Sequence, residues 1–147
     1  MTIEIRPIAA AHHAAWLPLW QGYLAFYQTA LPAATSAVTW QRLLDPGEPT
    51  HAALAWCDGQ AVGLVQWIFH RSNWSVENSC YLQDLFVTAD SRGAGIGRRL
   101  IEHVYAQARD SGATRVHWLT HASNGDAMQL YERIAERSGF IQYRHLL

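Results

Sequence analysis

The sequence predicts a mixed α/β domain, and three observations carry that expectation. Short segments of alternating apolar and polar residues are interleaved with longer ones whose apolar residues recur at helical spacing. Two apolar runs, residues 51–57 and 61–70, flank Asp58-Gly59, a dipeptide suited to the left-handed conformations of a two-residue hairpin turn. A third run, residues 81–87, passes through a glycine-rich turn directly into an amphipathic segment. Along the chain the order reads strand, two helices, three strands, helix, strand, helix, strand.

Each element has its own signal. Ile3 and Ile5 alternate with Thr2, Glu4 and Arg6 in a short strand that Pro7 limits. Residues 10–30 are rich in alanine and aromatics, with Trp16, Leu19, Trp20, Tyr23, Phe26 and Tyr27 near helical spacing. Pro18 is expected to divide or distort this helix unless it falls in the first turn. Ser36 can cap a second helix that reaches Leu44 and is stopped by Asp45-Pro46-Gly47. Residues 73–78 read as a polar loop that Trp74 can anchor. Beyond the strand at 81–87, residues 98–110 place Leu100, Ile101, Val104 and Ala108 on one side of a helix. Glu102, His103, Gln107 and Arg109 take much of the other side, and Gly112 ends the helix. Residues 115–120 form the next strand. Asn124 can cap a last helix carrying Leu130, Tyr131, Ile134 and Ala135, which Ser138-Gly139 ends, and residues 140–143 supply a terminal strand.

At 147 residues the chain is expected to be one domain spanning 1–147. Eleven basic residues against twelve acidic ones give a formal charge of −1, which speaks against a sequence-independent nucleic-acid binder. Cys57 and Cys80 are too few for a disulfide framework and read as small buried residues. The N-terminus has no basic region followed by a long apolar run, and no stretch approaches the roughly 20 apolar residues that span a bilayer. A cytoplasmic protein without membrane association is the expectation. Seven tryptophans suit a core, a substrate pocket or a subunit interface alike.

The turn after residue 87 carries the strongest chemistry. Gly93, Gly95 and Gly97 alternate immediately before a helix, so the backbone can turn sharply and approach a ligand without a Cβ in the way. The first amides of that helix have no intrahelical partner and can hold phosphate oxygens, with Arg92 and Arg98 adding charge at the rim. No Gly-Lys-Ser/Thr follows, so the turn is not a Walker A loop. It also lies too late in the chain for a two-lobed dinucleotide fold. A different pyrophosphate-bearing cofactor is therefore expected.

Arg92-Gly93-Ala94-Gly95-Ile96-Gly97, preceded by Asp84-Leu85-Phe86-Val87, resembles the acetyl-CoA signature of the GCN5-related N-acetyltransferase (GNAT) superfamily. The block at 124–139, with Tyr131 in its helix and Gly139-Phe140 after it, resembles the same superfamily. From Gly22-Tyr23-Leu24-Ala25-Phe26-Tyr27 through Cys80-Tyr81-Leu82 the chain is similar to its Hpa2-like branch. The resemblance implies a twisted, mostly antiparallel sheet flanked by helices and splayed between its fourth and fifth strands. Acetyl-CoA would enter that opening, its pyrophosphate held by residues 92–97 and its pantetheine arm paired with the backbone of Leu85, Phe86 and Val87. It also implies a homodimer, and acetylation of histones or small amines.

Acetyl transfer from a thioester to an amine needs a deprotonated amine, a donor for the developing oxyanion and a proton for the departing thiolate. Direct attack in a ternary complex needs no protein nucleophile. By resemblance, Tyr131 is the general acid that protonates the thiolate. Gln83 falls where polyamine acetyltransferases of the superfamily carry a glutamate, but glutamine is no base and can only orient an ammonium group or a water. Asp84 is ionisable, yet neighbouring strand residues face opposite sides unless a bulge intervenes. Glu77 is a third possible base. Asn124 matches a family position near the pantetheine end, and helix capping explains it equally well. His117 and His121 would be about 13 Å apart in an extended strand, and no metal motif is present, so no metal site is expected. Trp20, Tyr23, Phe26 and Tyr27 exceed one narrow helical stripe. They can form a substrate wall that holds an ammonium group by cation–π attraction, or pack in a core or dimer. The expected function is acetyl-CoA-dependent N-acetylation of a small primary amine such as a polyamine or amino acid. A protein lysine as acceptor and an inactive acyl-CoA-binding protein are the alternatives.

Overall fold

A computed structural model describes residues 2–147. Five strands, β1 (Ile3–Pro7), β2 (Thr50–Cys57), β3 (Gln60–His70), β4 (Ser79–Val87) and β5 (Val116–His117), form one sheet in sequence order. All neighbours are antiparallel except β4 and β5, which are parallel. Helices α1 (His13–Phe26) and α2 (Ala33–Leu44) precede β2, α3 (Ile96–Asp110) joins β4 to β5, and α4 (Gly125–Ile134) follows β5.

The central strands are apolar on both faces because both faces are covered. Ala53, Val65, Trp67, Cys80 and Leu82 pack against Leu100, Ile101, Val104 and Ala108 of α3. On the opposite face Leu54 and Leu64 pack against Trp16, Leu19 and Trp20 of α1 and Trp40 of α2. The β2–β3 turn is made by Asp58 and Gly59, both with positive φ (51° and 82°), as the dipeptide predicts.

Four expectations need correction. Pro18 lies inside α1, beyond its first turn, and the helix continues through it; burial of Trp16, Leu19 and Trp20 on either side holds both halves to the sheet. Pro32, not Ser36, is the N-cap of α2, and the Ser36 hydroxyl accepts the Trp20 indole N–H at 3.0 Å. The last helix ends at Ile134, where the carbonyl accepts the Tyr105 hydroxyl at 2.9 Å. Residues 140–143 form no strand, and Phe140 and Tyr143 are 81% and 88% exposed. A short apolar run becomes a strand only beside a partner, and β5 is two residues long.

Candidate active site

The sheet opens where β4 and β5 part. Only Cys80↔Val116 and Tyr81↔His117 pair, so the remainder of β4 faces no strand on that side. Leu82, Gln83 and Leu85 from β4 and Trp118 and Leu119 from beyond β5 line the resulting cleft, with Ile101 of α3 at its floor. Tyr27, just after α1, and Tyr131 of α4 complete it. This is the splay between fourth and fifth strands that the resemblance implies.

A bulge sets the chemistry of β4. Gln66 pairs with Asp84 but Trp67 pairs with Leu82, so Gln83 has no partner in β3. The extra residue reverses the alternation: Leu82 packs on the α3 side, while Asp84 turns to the α1 side. Asp84 is only 6% exposed. It accepts the Gln66 side-chain N–H at 2.8 Å and the Tyr23 hydroxyl, and Gln66 in turn accepts the Trp16 indole N–H at 2.8 Å. An indole only donates, so Trp16 fixes which way the Gln66 amide points. Burial pushes the Asp84 carboxyl above its ordinary range, and the Gln66 and Tyr23 hydrogen bonds partly offset this. Burial, then the Asp84 charge, pushes the hydroxyls of Tyr23, Tyr27 and Tyr81 up. Gln83 itself is exposed and lines the cleft.

The glycine turn follows β4 and opens α3. Gly95 caps α3 in a left-handed conformation (φ 78°), Gly93 has φ 84°, and no side chain caps the helix. A Cβ built on either glycine meets nothing within 4 Å, so the cradle is open to a ligand. Its free amides and α3 N-terminus fit a pyrophosphate group. Between these glycines lies exposed Ala94, whereas Ile96 is buried in the core under the turn and fixes the start of α3. Arg92 donates from Nε to the Val87 carbonyl at 3.0 Å and lies over the rings of Phe26 and Phe86. Arg98 pairs with Glu102 at 2.7 Å along the exposed face of α3. Phe86 packs so closely on α1 that a Cβ on Gly22 would stand 2.9 Å from its ring.

Tyr131 projects from α4 into the cleft, its ring edge-on to Trp118 at 5.4 Å. Burial, with the neighbouring Tyr27 adding to it, keeps its hydroxyl protonated well beyond neutral pH. Asn124 stands at the N-cap of α4, but its side chain donates to the Thr120 hydroxyl at 3.3 Å and makes no capping bond. Among the four aromatic wall residues, Tyr27 lines the cleft and Tyr23 reaches Asp84. Trp20 is buried in the α1 core, and Phe26 stands half exposed beneath Arg92. Sequence reasoning missed Gln66, Trp118 and Leu119. A lone glutamine within the apolar run 61–69 was the available signal for the first, because a buried amide requires partners. His117 and His121 form no metal cluster, and no group of three or more ligating side chains occurs among the described residues.

Comparison with known proteins agrees with this geometry. Residues 16–135 match the model of the acetyltransferase (GNAT) family. The chain is 34% identical to the D-amino-acid N-acetyltransferase HPA3 of Saccharomyces cerevisiae over 97% of its own length and 89% of that protein. It is 30% identical to the aminoalkylphosphonate N-acetyltransferase of Salmonella typhimurium over 71% and 67% of the two chains. The fold superposes on AAC(6')-Iy in complex with the bisubstrate analogue CoA-S-monomethyl-acetylneamine with a TM-score of 0.87, at 16% identity and covering 100% and 99% of the two chains. The open glycine cradle, the splayed sheet and the family match converge: the chain belongs to the acetyltransferase (GNAT) family and is an N-acetyltransferase that uses acetyl-CoA.

Proposed function

We propose that the protein acetylates a primary amine of a small molecule, such as a polyamine or amino acid, by direct attack in a ternary complex. The observation that carries this reading is the meeting of Gln83, Tyr27 and Tyr131 in one cleft at the splay. Acetyl-CoA supplies the acetyl group as an activated thioester. The bulge leaves the Gln83 backbone outside the β3 ladder, free to present an N–H to a developing oxyanion. The Gln83 side chain and the Tyr27 ring orient the incoming amine. Asp84, raised by burial and held by Gln66 and Tyr23 beside the bulge, is the ionisable group assigned to take the amine's proton, by way of the Tyr23 hydroxyl or a water. Tyr131 keeps its proton for the departing sulfur. Pyrophosphate binding falls to Gly93, Ala94, Gly95, Ile96 and Gly97, with Arg92 and Arg98 at the rim, and the pantetheine arm to Leu85, Phe86, Val87 and Asn124.

The relatives' named acceptors, D-amino acids and aminoalkylphosphonates, are small amines and support this choice over a protein lysine. We also read the protein as a cytoplasmic homodimer, a reading supported by the exposed apolar residues Phe140, Ile141 and Tyr143. Sedimentation equilibrium should then give about twice the 16.6 kDa chain mass, and a monomer at micromolar concentration contradicts it. Free-CoA release measured across a panel of polyamines, amino acids and lysine peptides tests the activity. The chain contains no lysine, so its own side-chain ammonium groups cannot supply a background signal. Turnover of small amines supports the proposal. Turnover of peptides alone, or tight acetyl-CoA binding without any turnover, contradicts it.

A further inference from the structure

On the α1 side of the sheet, beyond the end of the acceptor cleft, His70 and His117 meet, and Arg115 lies near enough to act on His117. His117 lies opposite core-facing Val116, Tyr81 of β4 and His70 of β3 extend its face, and Arg115 stands just before β5. The His117 ring stacks on Tyr81 (5.2 Å, 10° between planes) and meets the His70 ring edge-on at 5.4 Å. The Arg115 guanidinium lies 6.0 Å over Trp74 in the loop before β4. None of the three takes part in an ion pair among the described residues.

The hydrogen-bond inventory of this cluster favours an anion. His117 Nδ1 is buried with no hydrogen-bond partner among the described residues. Burial, His70 and Arg115 together hold this imidazole below its ordinary range, the signature of basic groups crowded without a counter-charge. His70 donates from Nδ1 to the Arg71 carbonyl at 2.8 Å, which leaves its Nε2 for a ligand. Arg115 adds a planar guanidinium suited to carboxylate and phosphonate oxygens. The cluster adjoins the site itself: Leu119, two residues beyond His117, lines the cleft with Gln83.

We infer that Arg115, His117 and His70 form a subsite for the anionic group of the acceptor, so that the preferred substrate is an amine carrying a carboxylate or phosphonate. This rests on the acetyl-transfer reading above and narrows it: a polyamine, cationic throughout, would be repelled here. Tyr81 supplies the floor of the subsite beneath His117.

The test compares D-lysine with D-lysinamide, which differ in the carboxylate. Wild type should show the lower KM for D-lysine. Arg115→Gln and His117→Asn should each cut that preference about 10- to 100-fold, the loss of one charge-assisted hydrogen bond. Binding is read separately, as imidazole proton NMR shifts of His70 and His117 when D-lysine is titrated into CoA-saturated protein. Shifts with D-lysine that are absent with D-lysinamide support the subsite even where turnover fails, an outcome that would discard the acetyl-transfer reading instead. Turnover without those shifts, equal KM values for the two amines, or KM values that rise together in both variants would overturn the subsite. Circular dichroism confirms that each variant is folded; should either one unfold, the wild-type comparison and titration decide alone.

Discussion

Between β2 and β3 the sheet is sewn together by eight residue pairs, whereas β4 and β5 hold for two pairs and then separate. The closed half is filled with residues of one kind. Ala53, Leu54, Leu64 and Val65 are fully buried, with helices on both sides. The open half mixes kinds: bulged Gln83, buried Asp84 and half-buried Tyr81 follow one another within four residues of β4. The same sheet therefore divides its tasks along its width. Regular pairing gives stability where nothing needs to enter, and broken pairing exposes backbone where a cofactor and an amine must meet.

That division predicts opposite responses to mutation. The largest effect is expected in the closed half, where Leu64→Ala leaves a cavity between α1 and β3 and should cost about 2–5 kcal/mol in urea unfolding. Acetyl-CoA affinity of the folded fraction should stay within about twofold of wild type. A large loss of affinity would show that the two halves are not separable. In the open half Gly95→Asp places a negative side chain in the pyrophosphate cradle. Calorimetry should show acetyl-CoA affinity falling by roughly 100-fold, about what the loss of charge-assisted hydrogen bonds costs. Stability should fall by at most about 1 kcal/mol, because Asp tolerates the left-handed backbone better than most residues. Unchanged affinity in folded Gly95→Asp would remove this turn from the cofactor site.

The smallest effect concerns pH. His51 and His103 stand on either side of Trp67, each with ring centroids 5.8 Å from it, and burial holds both imidazoles below the ordinary 6.5. As pH falls, the unfolded chain takes up these protons before the folded one. Their contribution is complete above about pH 6.5 and is lost progressively below it, toward the lowered folded values. Thermal melts from about pH 7.5 to 5.5 should show a steeper loss of Tm in wild type than in the His51→Asn, His103→Gln double variant. Parallel profiles would contradict this.

What the sequence made legible follows the same division. Asp58-Gly59 and its flanking apolar runs announced the β2–β3 hairpin, because a two-residue turn and its strands are set by neighbours in the chain. The glycine turn was legible for the same reason: a sharp turn was expected at 93–97, and Gly93 and Gly95 make it with positive φ. The environment of Asp84 was not. Its face depends on a one-residue slip against β3, and register is a property of two strands rather than of one. Trp118 and Leu119 enter the cleft only because β5 stops pairing at His117, which no local pattern announces. The terminal strand expected at 140–143 failed from the converse cause, a short apolar run that pairs with no other strand. Trp20 and Tyr23, three residues apart on α1, illustrate the limit for side chains: one ends in the core on Ser36 and the other on Asp84.

In the proposed mechanism the opening of the sheet brings acetyl-CoA to a protonated tyrosine on α4. Tyr131→Phe tests it most directly, since it removes the hydroxyl and keeps the ring against Trp118. Loss of a general acid costs about 10²–10⁴-fold in rate, and a thiolate is a good leaving group, so a fall in kcat near the lower end of that range is expected. Acetyl-CoA affinity and thermal stability should be nearly unchanged. Wild-type kcat in the variant, measured where chemistry limits turnover, would contradict the claim.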